Sequence, residues 1–261
     1  MTAAAPLRAW RERDGRLLRL RLSRPKANVV DAQMIAALDA AFAEVARPTP
    51  GQPALRGVLL DHEGPHFSFG ASVEEHLPAS FATMLSSLHA LVLRMLELPV
   101  PILVAIRGQC LGGGLEVAMA GHVLFAAPDA KLGQPEIVLG VFPPAASALL
   151  PERVSRAAAE DLLLSGRSID GAEAARIGLV TAAAADPEAA ALAWFDAHAA
   201  KHSAVALRLA TVAARRELVA RVRAKLAALE ALYAAELMTS RDAVEGLTAF
   251  LEKRAVRWED R

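Results

Sequence analysis

Short apolar segments alternate with segments of helical periodicity through the first two-thirds of the chain. The apolar segments show the alternating or continuous pattern that is typical of β-strands, whereas the others repeat apolar residues every three or four positions. The predicted strands are residues 16–22, 55–60, 101–106 and 123–126, and the predicted helices are residues 31–46, 81–98 and 114–120. This repeated order predicts an α/β core with parallel strand pairing.

The pattern changes after residue 155, where helical periodicity predominates and only residues 179–181 are predicted to be extended. The predicted helices are residues 155–165, 170–177, 187–202, 203–216, 218–239 and 240–253. We therefore divide the chain into a mixed core over residues 1–195 and a helical C-terminal region over residues 196–261. Proline and glycine accumulate at residues 47–53, which predicts a surface loop.

Composition restricts the possible partners and the cellular location of the protein. The 261 residues are 54% hydrophobic and 22% charged, and 29 basic side chains balance 29 acidic ones. This balance gives no indication of a nucleic-acid partner, and no apolar run reaches the roughly 20 residues that span a bilayer. The first residues lack the pattern of a secretory signal, and the single cysteine, Cys110, excludes an intramolecular disulfide. We expect a cytoplasmic protein with neither a membrane nor a nucleic acid as partner.

Two segments at the ends of predicted strands contain unusual turns. HFSFGAS (residues 66–72) follows one strand, and RGQCLGGGLE (residues 107–116) follows another and opens a helix. Three consecutive glycines permit close backbone approach, and the start of a helix presents unpaired N–H groups with partial positive charge. Such a turn can stabilise an oxyanion or hold a phosphate. For the first segment, a simple strand-to-helix turn is the alternative.

Two glutamates accompany these turns. Glu116 lies in the first turn of the predicted helix, where a surface carboxylate would also suit the helix dipole. Glu136 follows Gln134 and Pro135 in a rigid setting, and alone it would be interpreted as a loop acid. Taken together, they are a candidate acid–base pair, because two acids in a dry pocket push each other's pKa values apart.

Four motifs follow one another between residues 67 and 254: FSFGAS, GQCLGGGLE, LGQPEIVLG and EGLTAFLEKR. In this order and spacing they resemble the enoyl-CoA hydratase/isomerase (crotonase) superfamily, and the resemblance covers nearly the whole chain. It implies a spiral of ββα turns with a C-terminal helical region that builds trimers, usually paired into hexamers. It also implies an acyl-CoA thioester substrate, with CoA as part of that substrate, and neither a metal ion nor a redox cofactor.

The resemblance assigns roles to residues that match the family motifs. The backbone N–H groups of Ala71 and Gly113 match the oxyanion hole, and Glu116 and Glu136 match the two hydratase glutamates. One glutamate would take a proton from water and the other would give one to carbon, although the sequence does not assign the two roles. The positions that match contacts with CoA, some of them often supplied by a neighbouring subunit, are Lys26, Ser68, Phe69, Phe250 and Lys253.

Within the family, two stretches resemble the hydratases of cyclohexa-1,5-diene-1-carbonyl-CoA, which act in anaerobic aromatic degradation. These stretches are HFSFGASVEEHLP (residues 66–78) and GVFPPAASALLPER (residues 140–153). Residues 144–147 replace glycines of the common hydratase pattern, and Ser72 replaces an Asp that many members carry. The resemblance implies 1,4-addition of water to a cyclic diene, giving 6-hydroxycyclohex-1-ene-1-carbonyl-CoA, in a short, wide pocket.

Other functions remain open. One is a general short-chain enoyl-CoA hydratase, another is an isomerase or hydrolase on the same fold, and a non-enzymatic one is a CoA- or RNA-binding protein. Retention of both glutamates favours a hydratase, because isomerases of the family often keep only one. The histidines show no metal-ligand spacing, although His76 is a candidate pocket residue. We interpret Cys110 as a packing residue.

Overall fold

The computed structural model describes residues 5–45 and 51–261. Its strands are β1 (Leu7–Glu12), β2 (Leu17–Leu22), β3 (Gly57–His62), β4 (Ile102–Ile106), β5 (Gln109–Leu111), β6 (Val123–Ala126), β7 (Lys131–Gly133), β8 (Ser168–Asp170) and β9 (Ala182–Ala183). Its α-helices are α1 (Ala32–Val45), α2 (Phe81–Glu97), α3 (Gly113–Met119), α4 (Pro144–Arg153), α5 (Arg156–Ser165), α6 (Gly171–Arg176), α7 (Pro187–Trp194), α8 (Ala204–Ala235) and α9 (Arg241–Leu251). None of the helices described is both long and apolar enough to cross a membrane.

Two sheets organise the described part of the core. The larger sheet has the strand order β1-β2-β3-β4-β6-β9, and the smaller one has the order β5-β7-β8. β1 and β2 form an antiparallel hairpin, in which Leu7 pairs with Leu22. The other pairings of the larger sheet are parallel. The prediction of an α/β core with parallel pairing is therefore confirmed.

The central strands are covered on both faces, which explains their continuous apolar sequence. β3 and β4 are buried at every position. Val58 and Leu60 of β3 pack into a large core that includes residues of α1 and α2. Leu59, between them, packs on the opposite face against Phe195. The sheet therefore separates two layers of side chains.

The C-terminal region contains one long helix where the sequence pattern predicts two. α8 runs for 32 residues, so the predicted break between residues 216 and 218 is wrong. The segment contains no glycine or proline that would interrupt it, and the Ser203 hydroxyl caps its start by accepting the N–H of Ala206. α8 packs on α2 and α4. The division at residues 195 and 196 stays a prediction, since Phe195 continues from α7 into a π turn (Phe195–Ala199).

α4 is a helix that the sequence pattern does not predict. Prolines at positions 143, 144 and 151 obscure its periodicity. Pro144 is nevertheless well placed as the first helical residue, because its fixed φ suits a helix and its missing N–H would have no partner there. The predicted strand at residues 179–181 is instead found at β9. Of the predicted loop at residues 47–53, residues 47–50 lie outside the described part.

Candidate active site

Two turns place two backbone amide groups side by side. Ala71 follows Gly70, which has a φ of +109°, and Gly113 is the first residue of α3. A Cβ atom on Gly113 would lie 3.1 Å from the Ala71 nitrogen. Among the backbone hydrogen bonds of the described turns and loops, neither N–H is a donor. Both groups are therefore available to one acceptor atom of a ligand.

The first turn is fixed against β5 by hydrogen bonds around Ser68. The Ser68 N–H donates to the Gln109 carbonyl and the Leu111 N–H donates to the Ser68 carbonyl, both at 3.0 Å. The Ser68 hydroxyl donates to the Asn28 carbonyl at 2.8 Å and accepts the Gly70 N–H at 3.1 Å. Ser68 is fully buried. It therefore fixes the first turn from the interior of the protein, and the predicted contact of Ser68 with CoA stays a prediction.

The second turn requires glycine because other groups approach its backbone closely. Gly112 has a φ of +49°, and a Cβ atom there would lie 2.5 Å from Oε1 of Glu136. A Cβ atom on Gly114 would lie 2.5 Å from Cβ of Ser68. The glycine cluster thus brings the start of α3 against both the first turn and a carboxyl group.

Glu116 lies in the first turn of α3 and faces the protein interior. The residue is 4% exposed, and its Oε1 accepts the N–H of Ala146 at 2.7 Å. Burial raises the pKa of Glu116 to about 7, and the N–H groups of Ala146 and Ala145 at the start of α4 offset part of this rise. The alternative of a surface acid is wrong for Glu116, because the carboxyl group is buried.

Glu136 is held beside the glycine turn by a short 3₁₀-helix (Pro135–Leu139). With its amide nitrogen facing Glu136, the buried Gln134 donates to both carboxyl oxygens, at 3.0 and 3.1 Å. Burial, followed by the charge of Glu116, raises the pKa of Glu136 well above its ordinary value. The structure therefore brings the two glutamates within electrostatic range of each other.

A mostly apolar pocket of about 320 Å³ opens beside this arrangement. Ala71, Gly112 and Glu136 contribute to its wall. Its apolar side chains come from Phe69, Val73, Leu111, Pro135, Val138, Leu139, Val141 and Phe250. An apolar wall with a few polar groups is the usual form of a small-molecule site. In the part of the chain that the structure describes, no three His, Cys, Asp or Glu side chains are grouped to hold a metal ion.

His76 also lines this pocket. Its Nδ1 lies 2.7 Å from the Ser72 carbonyl oxygen, and a carbonyl can only accept, so Nδ1 carries the hydrogen. Burial lowers the pKa of His76, which favours the neutral ring. Nε2 of His76 is then a hydrogen-bond acceptor.

The other four candidate CoA contacts fall into two groups. Phe69 and Phe250 line the pocket and are 47% and 55% exposed, so both lie at its mouth. Phe250 reaches the pocket from α9 of the same chain. Lys26 and Lys253 are exposed but lie outside the residues that line the pocket, and the structure does not bring them to it.

The sequence pattern does not indicate three groups near the two glutamates. They are the Gln134 amide, the Ala146 N–H, and Tyr233, whose pKa is raised by burial and then by the charges of Glu136 and Glu116. Gln134 precedes Glu136 by two residues in the same motif, so its position beside the glutamate could have been recognised from the sequence. Consecutive prolines before Ala146 mark the start of a helix, which is a recognisable anion-binding feature. Tyr233 gives no local signal, because only the tertiary fold brings α8 against Phe142 and within electrostatic range of the glutamates.

The chain belongs to the enoyl-CoA hydratase/isomerase family, whose sequence model matches residues 12–261. The fold agrees, since a putative enoyl-CoA hydratase from Mycobacterium avium paratuberculosis K-10 superposes with a TM-score of 0.85. That protein is 27% identical, and the match covers 97% of this chain and 99% of the other. The family resemblance and the fold class predicted from the sequence are both confirmed.

Two curated relatives are also similar over nearly the full length. The cyclohexa-1,5-dienecarbonyl-CoA hydratase of Thauera aromatica is 67% identical over 259 residues, which are 99% of this chain and 99% of the relative. A probable enoyl-CoA hydratase of Bacillus subtilis (strain 168) is 37% identical over 246 residues, covering 90% of this chain and 92% of the relative. The resemblance to the cyclic-diene subgroup is therefore confirmed.

Proposed function

We propose that this protein is a hydratase that adds water to cyclohexa-1,5-diene-1-carbonyl-CoA and forms 6-hydroxycyclohex-1-ene-1-carbonyl-CoA. One observation carries the reaction type: Glu136 lines a small apolar pocket beside two available amide N–H groups, and the charge of the buried Glu116 acts on it. The similarity to the Thauera aromatica hydratase supports the choice of substrate. A role in anaerobic aromatic degradation and a cytoplasmic location follow from this proposal and remain predictions.

The two amide groups would stabilise the charge that develops on the thioester oxygen. A thioester withdraws electrons from a conjugated double bond, so the β-carbon becomes electrophilic. Attack by water moves negative charge onto the thioester oxygen. The N–H groups of Ala71 and Gly113 would donate to that oxygen, and one such donor contributes about 3 kcal/mol to transition-state stabilisation.

The two carboxyl groups would divide the proton transfers between them. The N–H groups at the start of α4 stabilise a charged Glu116, which suits a base that takes a proton from water. The charge on Glu116 raises the pKa of Glu136, so Glu136 retains a proton that it can give to carbon. We therefore assign the base to Glu116 and the acid to Glu136.

In 1,4-addition the oxygen of water bonds to the β-carbon, and Glu116 accepts the proton that water loses. The electron pair of the attacked double bond enters a dienolate, which Glu136 protonates at the far end of the diene. One double bond remains, conjugated with the thioester carbonyl. The pocket of about 320 Å³ lies near the lower end of the range for ligand sites, which suits one ring.

The addition changes no overall oxidation state, so the proposed reaction requires only the ester and water, without a metal ion or redox cofactor. Recognition of the CoA part would involve Phe69 and Phe250 at the mouth of the pocket. We keep Lys26 and Lys253 as candidates for the CoA phosphates, where an exposed ammonium group suits an anion.

The substrate is tested by offering the purified protein cyclohexa-1,5-diene-1-carbonyl-CoA and crotonyl-CoA separately, with the esters resolved by chromatography and mass spectrometry. We expect a product one water heavier from the cyclic diene and little product from crotonyl-CoA. Fast hydration of crotonyl-CoA alone would identify a general short-chain enoyl-CoA hydratase. Bound esters without hydration would contradict the hydratase proposal and support another reaction or a binding role.

We also propose that the C-terminal region builds a homotrimer or a dimer of trimers. Val205, Leu209 and Val212 are exposed at a spacing that places them on one face of α8, and an apolar stripe of this kind is typical of an interface. Light scattering after gel filtration should give a trimer or hexamer for the wild type and a smaller species for Leu209→Glu. Ala210→Glu adds the same charge on an adjacent face as a control. A monomeric wild type would contradict this proposal.

A further inference from the structure

Tyr233 is a buried polar residue that the proposed reaction has not yet used. It is the only tyrosine in the chain, and it lies near the C-terminal end of α8 with its side chain fully buried. Its hydroxyl is buried and has no hydrogen-bond partner among the described residues. Buried hydroxyl groups are normally satisfied, so a missing partner points to an atom that arrives with a ligand.

The aromatic contacts of Tyr233 place it close to the start of α4. Its ring packs edge-on against Phe142 with a centroid distance of 5.3 Å, and it packs against Phe81 at 5.9 Å with the two rings tilted by 36°. Phe142 follows Val141, which lines the pocket. Phe142 also lies four residues before Ala146, whose N–H binds Glu116. The two aromatic contacts fix the ring without using its hydroxyl.

The phenol also lies within electrostatic range of both glutamates. Burial, followed by the charges of Glu136 and Glu116, raises the pKa of Tyr233. The phenol therefore stays neutral at neutral pH, and a neutral hydroxyl can both donate and accept a hydrogen bond. The group that best satisfies it beside the two carboxyl groups is another neutral hydroxyl or a water molecule.

We propose that the Tyr233 hydroxyl binds the hydroxyl group that hydration places on the substrate ring, and that it holds the attacking water at the same point before reaction. This inference rests on the proposed function and names the residue that recognises the hydroxylated cyclic acyl group. Through Tyr233, α8 of the helical C-terminal region would then contribute a side chain to the active site. When a bound ester lacks the ring hydroxyl, a water molecule takes its place at Tyr233.

The variant Tyr233→Phe removes one oxygen atom and keeps the ring contacts with Phe81 and Phe142. Calorimetric titration compares 6-hydroxycyclohex-1-ene-1-carbonyl-CoA with its matched ester lacking the hydroxyl, cyclohex-1-ene-1-carbonyl-CoA. We expect about 10-fold weaker binding of the hydroxylated ester, the loss of one hydrogen bond, and no change for the other. Thermal stability of the variant without ligand should stay close to that of the wild type, because no hydrogen bond within the protein is lost.

Thr211→Val is a matched control on the same helix. The Thr211 side chain is also buried, but its hydroxyl donates to the Leu207 carbonyl at 2.8 Å, near the other end of α8. Its removal should leave the affinities for both esters unchanged. A second readout uses the single tyrosine: in protein labelled with ¹³C at the phenol carbon, the one resonance should shift with the hydroxylated ester and not with its matched partner.

Equal affinities of wild type and Tyr233→Phe for the hydroxylated ester, with an unmoved tyrosine resonance, would overturn this inference. An equal loss of affinity for both esters would also overturn it, because that result indicates packing alone. Failure of the wild type to hydrate the cyclic diene is a separate outcome, which rejects the proposed function first and the role of Tyr233 with it.

Discussion

Buried carboxyl groups occur in two regions of the molecule, and their partners differ. Asp61 of β3 is buried and accepts hydrogen bonds from Arg19 and Arg21 of the neighbouring β2, with the Arg21 Nε at 2.9 Å. Glu188 of α7 joins this cluster through both arginines. By contrast, none of the ion pairs in the described part of the chain includes Glu116 or Glu136.

This difference indicates a structural role for the buried charge of Asp61 and a chemical role for Glu116 and Glu136. At Asp61 every charge has an opposite partner. Burial lowers the pKa of Arg19, but hydrogen bonds to Glu188 and Asp61 outweigh it and raise the pKa overall. The glutamate pair has only backbone and amide donors, so burial keeps both pKa values raised. Acids in such a setting can exchange protons near neutral pH, which a paired charge does not do.

The largest expected effect is on turnover, from Glu136→Gln. This change keeps the shape of the side chain and removes its proton exchange, so we expect hydration to slow by about 1,000-fold while the CoA ester still binds. Initial rates measure the loss of hydration, and calorimetric titration with the CoA ester measures the retained binding. Glu63→Gln, at an exposed glutamate away from the pocket, is the control. Unchanged turnover in Glu136→Gln would contradict the two-glutamate mechanism.

The second prediction concerns stability and the other region. Asp61→Asn leaves two guanidinium groups without their shared carboxylate, so the free energy of unfolding should fall by about 3 kcal/mol, with little change in activity per folded molecule. Urea denaturation and specific activity measure this. Asp196→Asn breaks an exposed pair with Arg13 and should lower stability by less than about 1 kcal/mol. Equal stability of the two variants would contradict the structural role that we assign to the buried charge cluster at Asp61.

The third prediction is a pH dependence of stability. The pKa of Glu116 is about 7 in the folded protein, against an ordinary 4.5, so between these pH values the folded state binds more protons than the unfolded one. The contribution of Glu116 to stability is then complete below about pH 4.5 and declines as pH rises to about 7, by up to roughly 3 kcal/mol.

Glu116→Gln lacks this titration, so its stability should depend less on pH than that of the wild type. Urea denaturation of both proteins at pH 5 and pH 8 measures the difference. If the stabilities of the two proteins change equally between pH 5 and pH 8, the pKa of Glu116 is not raised by burial. The contrast with the paired carboxyl group of Asp61 would then be contradicted.

The smallest expected effect comes from Gln134→Leu. It removes the two amide hydrogen bonds to Glu136, which raises the pKa of that carboxyl group further and loosens its position. Turnover should fall by about 10-fold with a nearly unchanged affinity for the ester. A fall in affinity with unchanged turnover would assign Gln134 to ligand binding instead.

The sequence motifs indicate the contents of the site better than its surroundings. Glu116 and Glu136 are predicted as site residues because each lies inside a local motif. The three consecutive glycines likewise indicate that other groups approach the backbone of that turn closely. Burial and coupling of the two carboxyl groups are tertiary properties. The N–H groups that hold Glu116 belong to α4, 30 residues further along the chain, and its prolines conceal that helix from a periodicity argument.

The paired cluster at Asp61 also depends on information that the sequence pattern does not supply. In the sheet register Arg21 lies opposite Asp61, and Arg19 lies opposite Leu59. A shift of this parallel pairing would separate the charges. Tyr233 is similar, because α8 is predictable as a helix but its contact with Phe142 requires the packed structure. Local chemistry is therefore predictable here, whereas long-range partners are not.

The role of the two glutamates in 1,4-addition is tested by hydrating cyclohexa-1,5-diene-1-carbonyl-CoA in D₂O and determining the position of deuterium in the product by NMR. If the coupled glutamates carry out 1,4-addition, the product should carry the hydroxyl on the β-carbon and one deuterium at the far end of the former diene. Deuterium at the α-carbon, or an ester recovered without added water, would contradict the account.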